Sequence, residues 1–406
     1  MTTAPILPVA TSDPVNARIL AVSEDRIRGF QDDPLACIAR EAGLPPDIVI
    51  ERIAAMLRAG TVRRVRQTLL STSLAHGCLV AWVVPEDKLN AAFDWMFQSD
   101  PFSGHVVIRS TDAAIAASRY RLWTTLKVPQ GYSLEKHCRF LCEKTGAERF
   151  LLLPARKLFV LGVGHVRRRG MEPGSKSDQL ADATDTEIVK LTDLEWRVLT
   201  ALKREFDPDE LRPATGEEGA ECGHRQDACA TKSGEPEELR LSLWTGRAAE
   251  AGVPLDEFLR VAHGLDKKGV IGRFSTFLEH VKPLATGERV TKFNGLFHWA
   301  VPKGREMDAG RQVGRFHIMT HAYWREAGPE FGNVNVMGVA HGQDRDLLLA
   351  HKRAIDEHLA ACGIEVSYTN VFWGGRSEIK PSEIIPSAYE QFCRKHNLDP
   401  QAMRAE

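Results

Sequence analysis

The strongest constraint on this chain is that it repeats itself. Ala59-Gly60-Thr61-Val62-Arg63-Arg64-Val65 is matched by Lys268-Gly269-Val270-Ile271-Gly272-Arg273-Phe274. Val80-Ala81-Trp82-Val83-Val84-Pro85 is matched by Phe297-His298-Trp299-Ala300-Val301-Pro302, and Ser103-Gly104-His105-Val106 by Met319-Thr320-His321-Ala322. The blocks keep their order at offsets of 209, 217 and 216 residues, as one common frame with short insertions and deletions would. The chain of 406 residues is therefore read as two copies of one architecture in tandem.

Each copy opens with helical signals. Residues 34–58 read as helix, Gly-Leu-Pro-Pro turn and a second, amphipathic helix with Ile48, Ile50, Ile53, Ala54 and Leu57 inward. Gly60 ends that helix, and Thr61 to Leu70 form a strand that starts a wing. Residues 192–206 and 240–268 repeat the pattern. Each copy then alternates strand, helix, strand, strand, helix, strand, placed in copy two at 291–301, 306–314, 315–323, 333–341, 344–362 and 364–374. That order is the split βαββαβ, ferredoxin-like unit. The expected fold class is α+β: a tandem repeat of winged helix-turn-helix plus ferredoxin-like domain. The expected domains are a winged helix at 15–70 and a ferredoxin-like domain at 71–170, a linker at 171–190, a second winged helix at 191–280, a second ferredoxin-like domain at 281–385, and a C-terminal helix or tail at 386–406.

Within the second winged helix, residues 207–238 are rich in Gly, Glu, Asp and Ala and lack periodic apolar positions, so they read as a disordered insertion. The eight cysteines are scattered and make no Cys-x-x-Cys pair; they read as free thiols, and Cys222, His224 and Cys229 in the insert do not make a metal site. Lysine plus arginine (53) nearly cancels aspartate plus glutamate (54), which removes the global basic bias of many nucleic-acid binders. The N-terminus lacks a basic segment followed by an apolar run, and no stretch reaches 18 apolar residues; the expectation is a cytoplasmic protein with no membrane span.

A winged helix followed by βαββαβ is the plan of Lrp/AsnC regulators. The motif blocks here more closely resemble a side branch of that group, the sirohaem decarboxylases of the haem d1 and alternative haem pathways. The resemblance rests on Ile271-Gly272-Arg273-Phe274 followed by Glu279-His280, on His298-Trp299-Ala300-Val301-Pro302, on Thr320-His321-Ala322-Tyr323-Trp324-Arg325, and on Val339-Ala340-His341-Gly342. It covers nearly all of both copies outside the insert. Copy one departs from it: Arg63-Arg64, Trp82, Pro85 and His105 are kept, but Ser71 or a neighbour replaces the wing histidine and Lys127 stands where His341 would align. Copy one is then either a partner that completes the fold and cleft, or a unit with altered chemistry.

The resemblance implies removal of acetate carboxyls of sirohaem as CO₂. Losing CO₂ leaves negative charge on a carbon attached to the ring, and a positioned histidine can both stabilise and protonate it. His321 and His280 are the implied catalytic residues. Arg273, Tyr323, Arg325, His341, His317, Arg64 and His105 are the implied substrate-binding residues, with arginine suited to bidentate carboxylate contact. Strand alternation over 315–323 places His317, Met319, His321 and Tyr323 on one face. No cofactor is expected, because the macrocycle is its own electron sink and its iron enters with the substrate. A homodimer or a related subunit is the expected assembly. Arg167-Arg168-Arg169 reads as a solvated basic end.

Two other readings stay open. A transcription regulator is disfavoured because the candidate recognition helices, 47–58 and 254–268, each carry net zero charge with acids at the docking end. A tetrapyrrole-binding protein without catalysis is not separated from the enzyme by residue types alone.

Overall fold

The computed structural model describes residues 7–405 apart from 71–72, 163, 165, 167, 169, 186–187, 212–241, 280–282, 284–286, 288 and the side chain of His76. Most of the insertion expected at 207–238, with Cys222, His224 and Cys229, thus lies outside the described residues, as does His280. In chain order the elements begin α1 (Pro14–Ser23), α2 (Pro34–Ala42), α3 (Pro46–Arg58) and β1 (Val62–Leu69). Copy one continues through β2 (Ala75–Val83), α4 (Leu89–Gln98), β3 (Ser103–Ser110), β4 (Tyr120–Pro129), α5 (Leu134–Thr145), β5 (Arg149–Pro154) and β6 (Lys157–Leu161). Copy two has α6 (Asp193–Leu202), α7 (Thr245–Ala251), α8 (Leu255–Lys267) and β7 (Ile271–Leu278). It ends with β8 (Phe293–Ala300), α9 (Glu306–Gly314), β9 (Met319–Trp324), β10 (Val336–Gly342), α10 (Arg345–Ala361), β11 (Tyr368–Ile379) and α11 (Pro386–Lys395).

The chain folds into two compact units that group like with like instead of following the two sequence copies. One comprises Met1–Leu69 and Leu191–Leu278, the helical segments of both copies; the other comprises Leu70–Lys190 and Glu279–Glu406.

In the helical unit each copy contributes three helices and one strand. Asp33 caps α2 through its contact with the Ala36 amide, with Pro34 pre-set at the first position, and Thr192 with Glu195 forms a capping box on α6. The third helix of each copy stops at a glycine of positive φ, Gly60 at +73° and Gly269 at +69°. Only glycine takes that conformation without strain, so the twin stops are written in the sequence. On α3 the buried positions are Val49, Ile53, Ala54 and Met56, whereas Ile48, expected inward, is 38% exposed. The core stripe is rotated by one residue from the expected one because Val49 and Met56, two turns apart, share the face of Ile53. The strands expected to start separate wings instead pair with each other: β1 runs antiparallel to β7, Val65 opposite Thr276. A lone wing strand would leave its ladder of amides unpaired, and the repeat supplies its twin.

The second unit is built on nine strands in the order β5-β2-β4-β3-β11-β8-β10-β9-β6. Each copy's four strands keep the order of a βαββαβ unit, and the antiparallel pairing of β3 with β11 joins them. Strand β6 leaves copy one and pairs with the free edge of copy two at β9. Of the stretch 171–190, expected as a linker, Lys176 bridges to Phe316 of copy two and Thr184 to Leu158 on β6, while Val189 bonds Ser73 and Gln130 of copy one.

Three apolar clusters hold this unit. Trp82, Phe93, Phe102, Leu122 and Leu141 pack the α4 and α5 layer onto copy one, and Tyr389 and Phe392 bring α11 onto the same layer. Trp299, Phe316, Ala322, Ile355 and Leu359 do the same for α9 and α10 on copy two. The third cluster, with Val107, Trp123, Leu153, Leu296, Met337 and Phe372, fills the face away from the helices, where the two halves of the sheet close on each other. Alternation assigns each strand residue to one of these layers, so the inner face is where side chains from both copies meet.

Candidate functional site

The inner face of copy two carries the residues singled out in the sequence, but not all as strand alternation predicts. Strand β9 starts at Met319, not at 315. Residues 315–318 turn instead: the Met319 amide bonds the Phe316 carbonyl at 3.0 Å, and Phe316 and Ile318 are drawn into the helix-side core. His317 therefore does not share a face with His321. Its ring Nδ1 meets the Ser175 hydroxyl at 3.1 Å, and its amide bonds the Ser175 carbonyl. A bulge between Val339 and Ala340 of β10 then shifts the register, so that Met319 opposes Ala340 while His321 opposes Val339. Met319 turns to the helices with Ala322; His321 and Tyr323 turn inward.

The extra residue in that bulge is Thr320, and its hydroxyl organises the site. It lies 3.1 Å from Nδ1 of His321, 3.3 Å from Nδ1 of His341, and donates to the Val339 carbonyl at 3.0 Å. A hydroxyl has one proton, and a carbonyl can only accept. Assigning that proton to Val339 makes Thr320 the acceptor from both rings, with hydrogen on Nδ1 of each imidazole. In each neutral ring the basic lone pair is then on Nε2. Tyr323 stacks beside His321 with ring centroids 6.0 Å apart and planes at 17°. Arg325 lies over the Tyr323 ring at 4.3 Å and donates to the Leu153 carbonyl of copy one. Burial pushes the Tyr323 hydroxyl up and the Arg325 guanidinium down from their ordinary values.

Arg168, expected as a solvated end, is buried: it donates to the carbonyls of His317 at 2.7 Å and Met319 at 3.2 Å and so fixes the turn before β9. It also lines a cavity of about 180 Å³ together with His341, the amino end of α10 at Asp344, and His351. His351 bonds the Met171 carbonyl through Nε2 at 3.1 Å. A cavity of that size holds a carboxylate-bearing arm but not a macrocycle.

The copy-one counterpart has the same backbone and different groups. His105 sits on β3 with its Nε2 2.8 Å from the Ser377 hydroxyl of β11. Lys127 occupies on β4 the place that His341 has on β10. Arg64 and Arg273 lie in the helical unit. Arg64 pairs with Glu205 at 3.2 Å, and Arg273 donates to the Glu24 carbonyl at 3.3 Å under the pull of Asp25 and Glu24. The structure thus brings together His321, His341, Tyr323 and Arg325, gives His317 and His105 other partners, and builds Arg64 and Arg273 into the helical unit.

Sequence reasoning missed Thr320, Arg168, Arg109, Asn294 and His298. For Arg109 a signal existed: it follows His105 by four residues, as Arg325 follows His321. His298 is fully buried on β8 among Trp123, Phe331 and Phe372, with neither ring nitrogen hydrogen-bonded and its pKa held down to about 3 by burial. Among the described residues no cluster of His, Cys, Asp and Glu is arranged to hold a metal ion, and no helix is long and apolar enough to cross a membrane.

Residues 74–159, the strands and helices of copy one, match the family model of the AsnC-like ligand binding domain. No curated protein sequence matches the chain significantly. Two solved structures match over nearly its full length. The crystal structure of the siroheme decarboxylase NirDL aligns with a TM-score of 0.61 at 17% identity, covering 94% of this chain and 98% of that one. The same enzyme in complex with an iron-uroporphyrin III analogue aligns with a TM-score of 0.59 at 17% identity, covering 94% and 97%. The chain has the fold of these structures, with an AsnC-like ligand binding domain in its first copy.

Proposed function

We propose that this chain is a carboxy-lyase that removes acetate carboxyls of sirohaem as CO₂. The observation that carries this reading is the pair of imidazoles, His321 and His341, tied to one threonine hydroxyl on the inner face of the copy-two sheet. The full-length likeness to a siroheme decarboxylase, one of whose structures holds an iron-uroporphyrin analogue, supports the choice of substrate class.

The chemistry follows from the groups present. The bond between the acetate methylene carbon and its carboxylate breaks, CO₂ departs, and the electron pair stays on the methylene carbon, spread into the macrocycle. His321, protonated on both nitrogens, donates its Nε2 proton to that carbon and regains one from solvent. Thr320 fixes the ring orientation through its contact with Nδ1, and Nε2 is the proton-donating atom of this reading. His341, on the same hydroxyl, faces the cavity that fits one carboxylate arm. Tyr323 and Arg325 supply an apolar wall backed by positive charge, which favours the developing carbanion over solvent.

Anaerobic incubation of the purified chain with sirohaem, followed by mass analysis of the tetrapyrrole, tests this directly. Loss of one or two CO₂ masses, abolished in His321→Ala, is the expected result. Sirohaem recovered unchanged from the wild type overturns it, and bound but unaltered sirohaem leaves a tetrapyrrole-binding protein as the better account.

A further inference from the structure

A row of residues on one face of the sheet crosses from copy one to copy two. Arg109 on β3 pairs with Gly374 on β11, and Asn294 on β8 pairs with His341 on β10. The two pairs are contiguous: a Cβ placed on Gly374 would lie 3.3 Å from Asn294 Cβ and 3.5 Å from Nη1 of Arg109. The row ends at Thr320, whose hydroxyl meets His341. Three strand spacings of about 4.8 Å separate Arg109 from His341 by roughly 14 Å, comparable to a tetrapyrrole with its acid arms, and Thr320 lies one strand further on. Gly374, Asn294 and His341 are all half-buried, so the row opens at the margin of the inner face, not in its sealed core.

Arg109 is the unusual member. It is 5% exposed, yet no carboxylate neutralises it among the described residues; burial alone acts on it, drawing its pKa down to about 10. Its Nη1 is shared between Asn294 Oδ1 and the Phe372 carbonyl, both at 3.2 Å, and its Nε has no partner. Two other buried arginines are matched by acids, Arg64 by Glu205 and Arg247 by Glu210 and Glu250, whereas Arg325 of the copy-two site, like Arg109, is held by a carbonyl. A buried cation held only by dipoles destabilises the ligand-free fold, and the missing counter-charge is an anion. The planar guanidinium suits a carboxylate, and the absent side chain at Gly374 leaves room beside it.

We propose that Arg109, from copy one, is a carboxylate-binding residue of the copy-two site, placed by Asn294 in line with His341. Resting on the tetrapyrrole reading above, it takes an acetate arm of the macrocycle; the same chemistry would take a free small carboxylate. Copy one then contributes a binding group to copy two's chemistry.

The test compares wild type, Arg109→Met and Gly374→Ala by thermal unfolding and by absorbance titration with two iron porphyrins. Iron uroporphyrin carries acetates, and iron coproporphyrin has methyl groups in their place. Arg109→Met removes an uncompensated charge, so its ligand-free Tm is expected to equal or exceed the wild type's. Its affinity for iron uroporphyrin should fall about 10- to 100-fold, as loss of a charged hydrogen-bonded pair does, with iron coproporphyrin unaffected. Gly374→Ala, which keeps the charge and fills the gap, should lose uroporphyrin affinity in the same direction. If the wild type binds neither porphyrin, the tetrapyrrole reading fails; acetate that raises the Tm of the wild type but not of Arg109→Met then supports a free-carboxylate site, and equal response overturns it. A lower ligand-free Tm in Arg109→Met, with both porphyrins bound as by wild type in both variants, makes Arg109 a structural residue and overturns the proposal.

Discussion

The two halves of the α/β unit share a backbone and differ in chemistry. Each places a histidine on the corresponding strand and a buried arginine four residues on: His105 and Arg109 on β3, and His321 on β9 with Arg325 just past its end. Each buries a tryptophan at the same point of its first strand, Trp82 and Trp299. The divergence is local. Copy two has Tyr323, His341 and the bulged Thr320 where copy one has Val107, Lys127 and Gly104. One inserted residue in the β9–β10 register puts a hydroxyl between two imidazoles, and the corresponding irregularity between Ser103 and His105 carries no hydroxyl because the residue there is glycine. The family model matches the half with the plainer chemistry, residues 74–159.

That comparison can be broken at several points. The largest expected effect is on turnover: His321→Ala should lower the rate of CO₂ loss by roughly 10²- to 10⁴-fold, the range for a positioned acid. His105→Ala, measured beside it by single-turnover mass analysis, should be far milder, and equal losses would make copy one a second working centre. Next come the twin tryptophans. Trp82→Ala and Trp299→Ala should each cost about 3–5 kcal/mol in urea unfolding. Trp82 donates to Thr124 at 2.9 Å and Trp299 to Asp356 at 2.6 Å, so a charge-assisted bond is lost only in copy two, where the cost should be the larger although Lys352 still holds Asp356.

The third prediction concerns His298, whose copy-one counterpart is Ala81. Its folded pKa of about 3 lies below the ordinary histidine value, so the unfolded chain binds its proton first as pH falls. The stability tied to the neutral ring is therefore whole above about pH 6.5 and is lost below it, by about 2 kcal/mol between pH 6.5 and 5. His298→Leu should flatten that limb of the urea midpoint against pH, and an unchanged slope would remove His298 from the account. The smallest expected effect is the exchange at the strand ends. His341→Lys should lower turnover about tenfold, the worth of one hydrogen bond of about 1.4 kcal/mol to a carboxylate arm, whereas Lys127→His should leave it unaltered in the same assay.

Much of this was legible in the residues. The repeat, the twin glycine stops at Gly60 and Gly269, and the strand–helix order of copy two all lie within a few residues of where periodicity put them, because propensity, capping and alternation are local. His321, Tyr323 and Arg325 were legible as a cluster because they share a strand face. His317 was misplaced since alternation assumes an unbroken strand, and Phe316 and Ile318 gain more by entering the helix-side core. Thr320 was invisible as an organiser, since a bulge depends on the partner strand and not on the sequence that carries it. Arg168 looked solvated because the carbonyls it binds lie some 150 residues away.

The sequence by itself determined that there are two copies, which elements each contains, and which residue types copy two concentrates. Only the tertiary structure decided how the copies combine: β1 with β7, β3 with β11, and β6 across to β9. Edge strands carry unpaired amides that another edge can satisfy, and nothing local says which edge that will be. The same pairings place Arg109 of one copy in a row with His341 of the other, a juxtaposition that no spacing along the chain encodes.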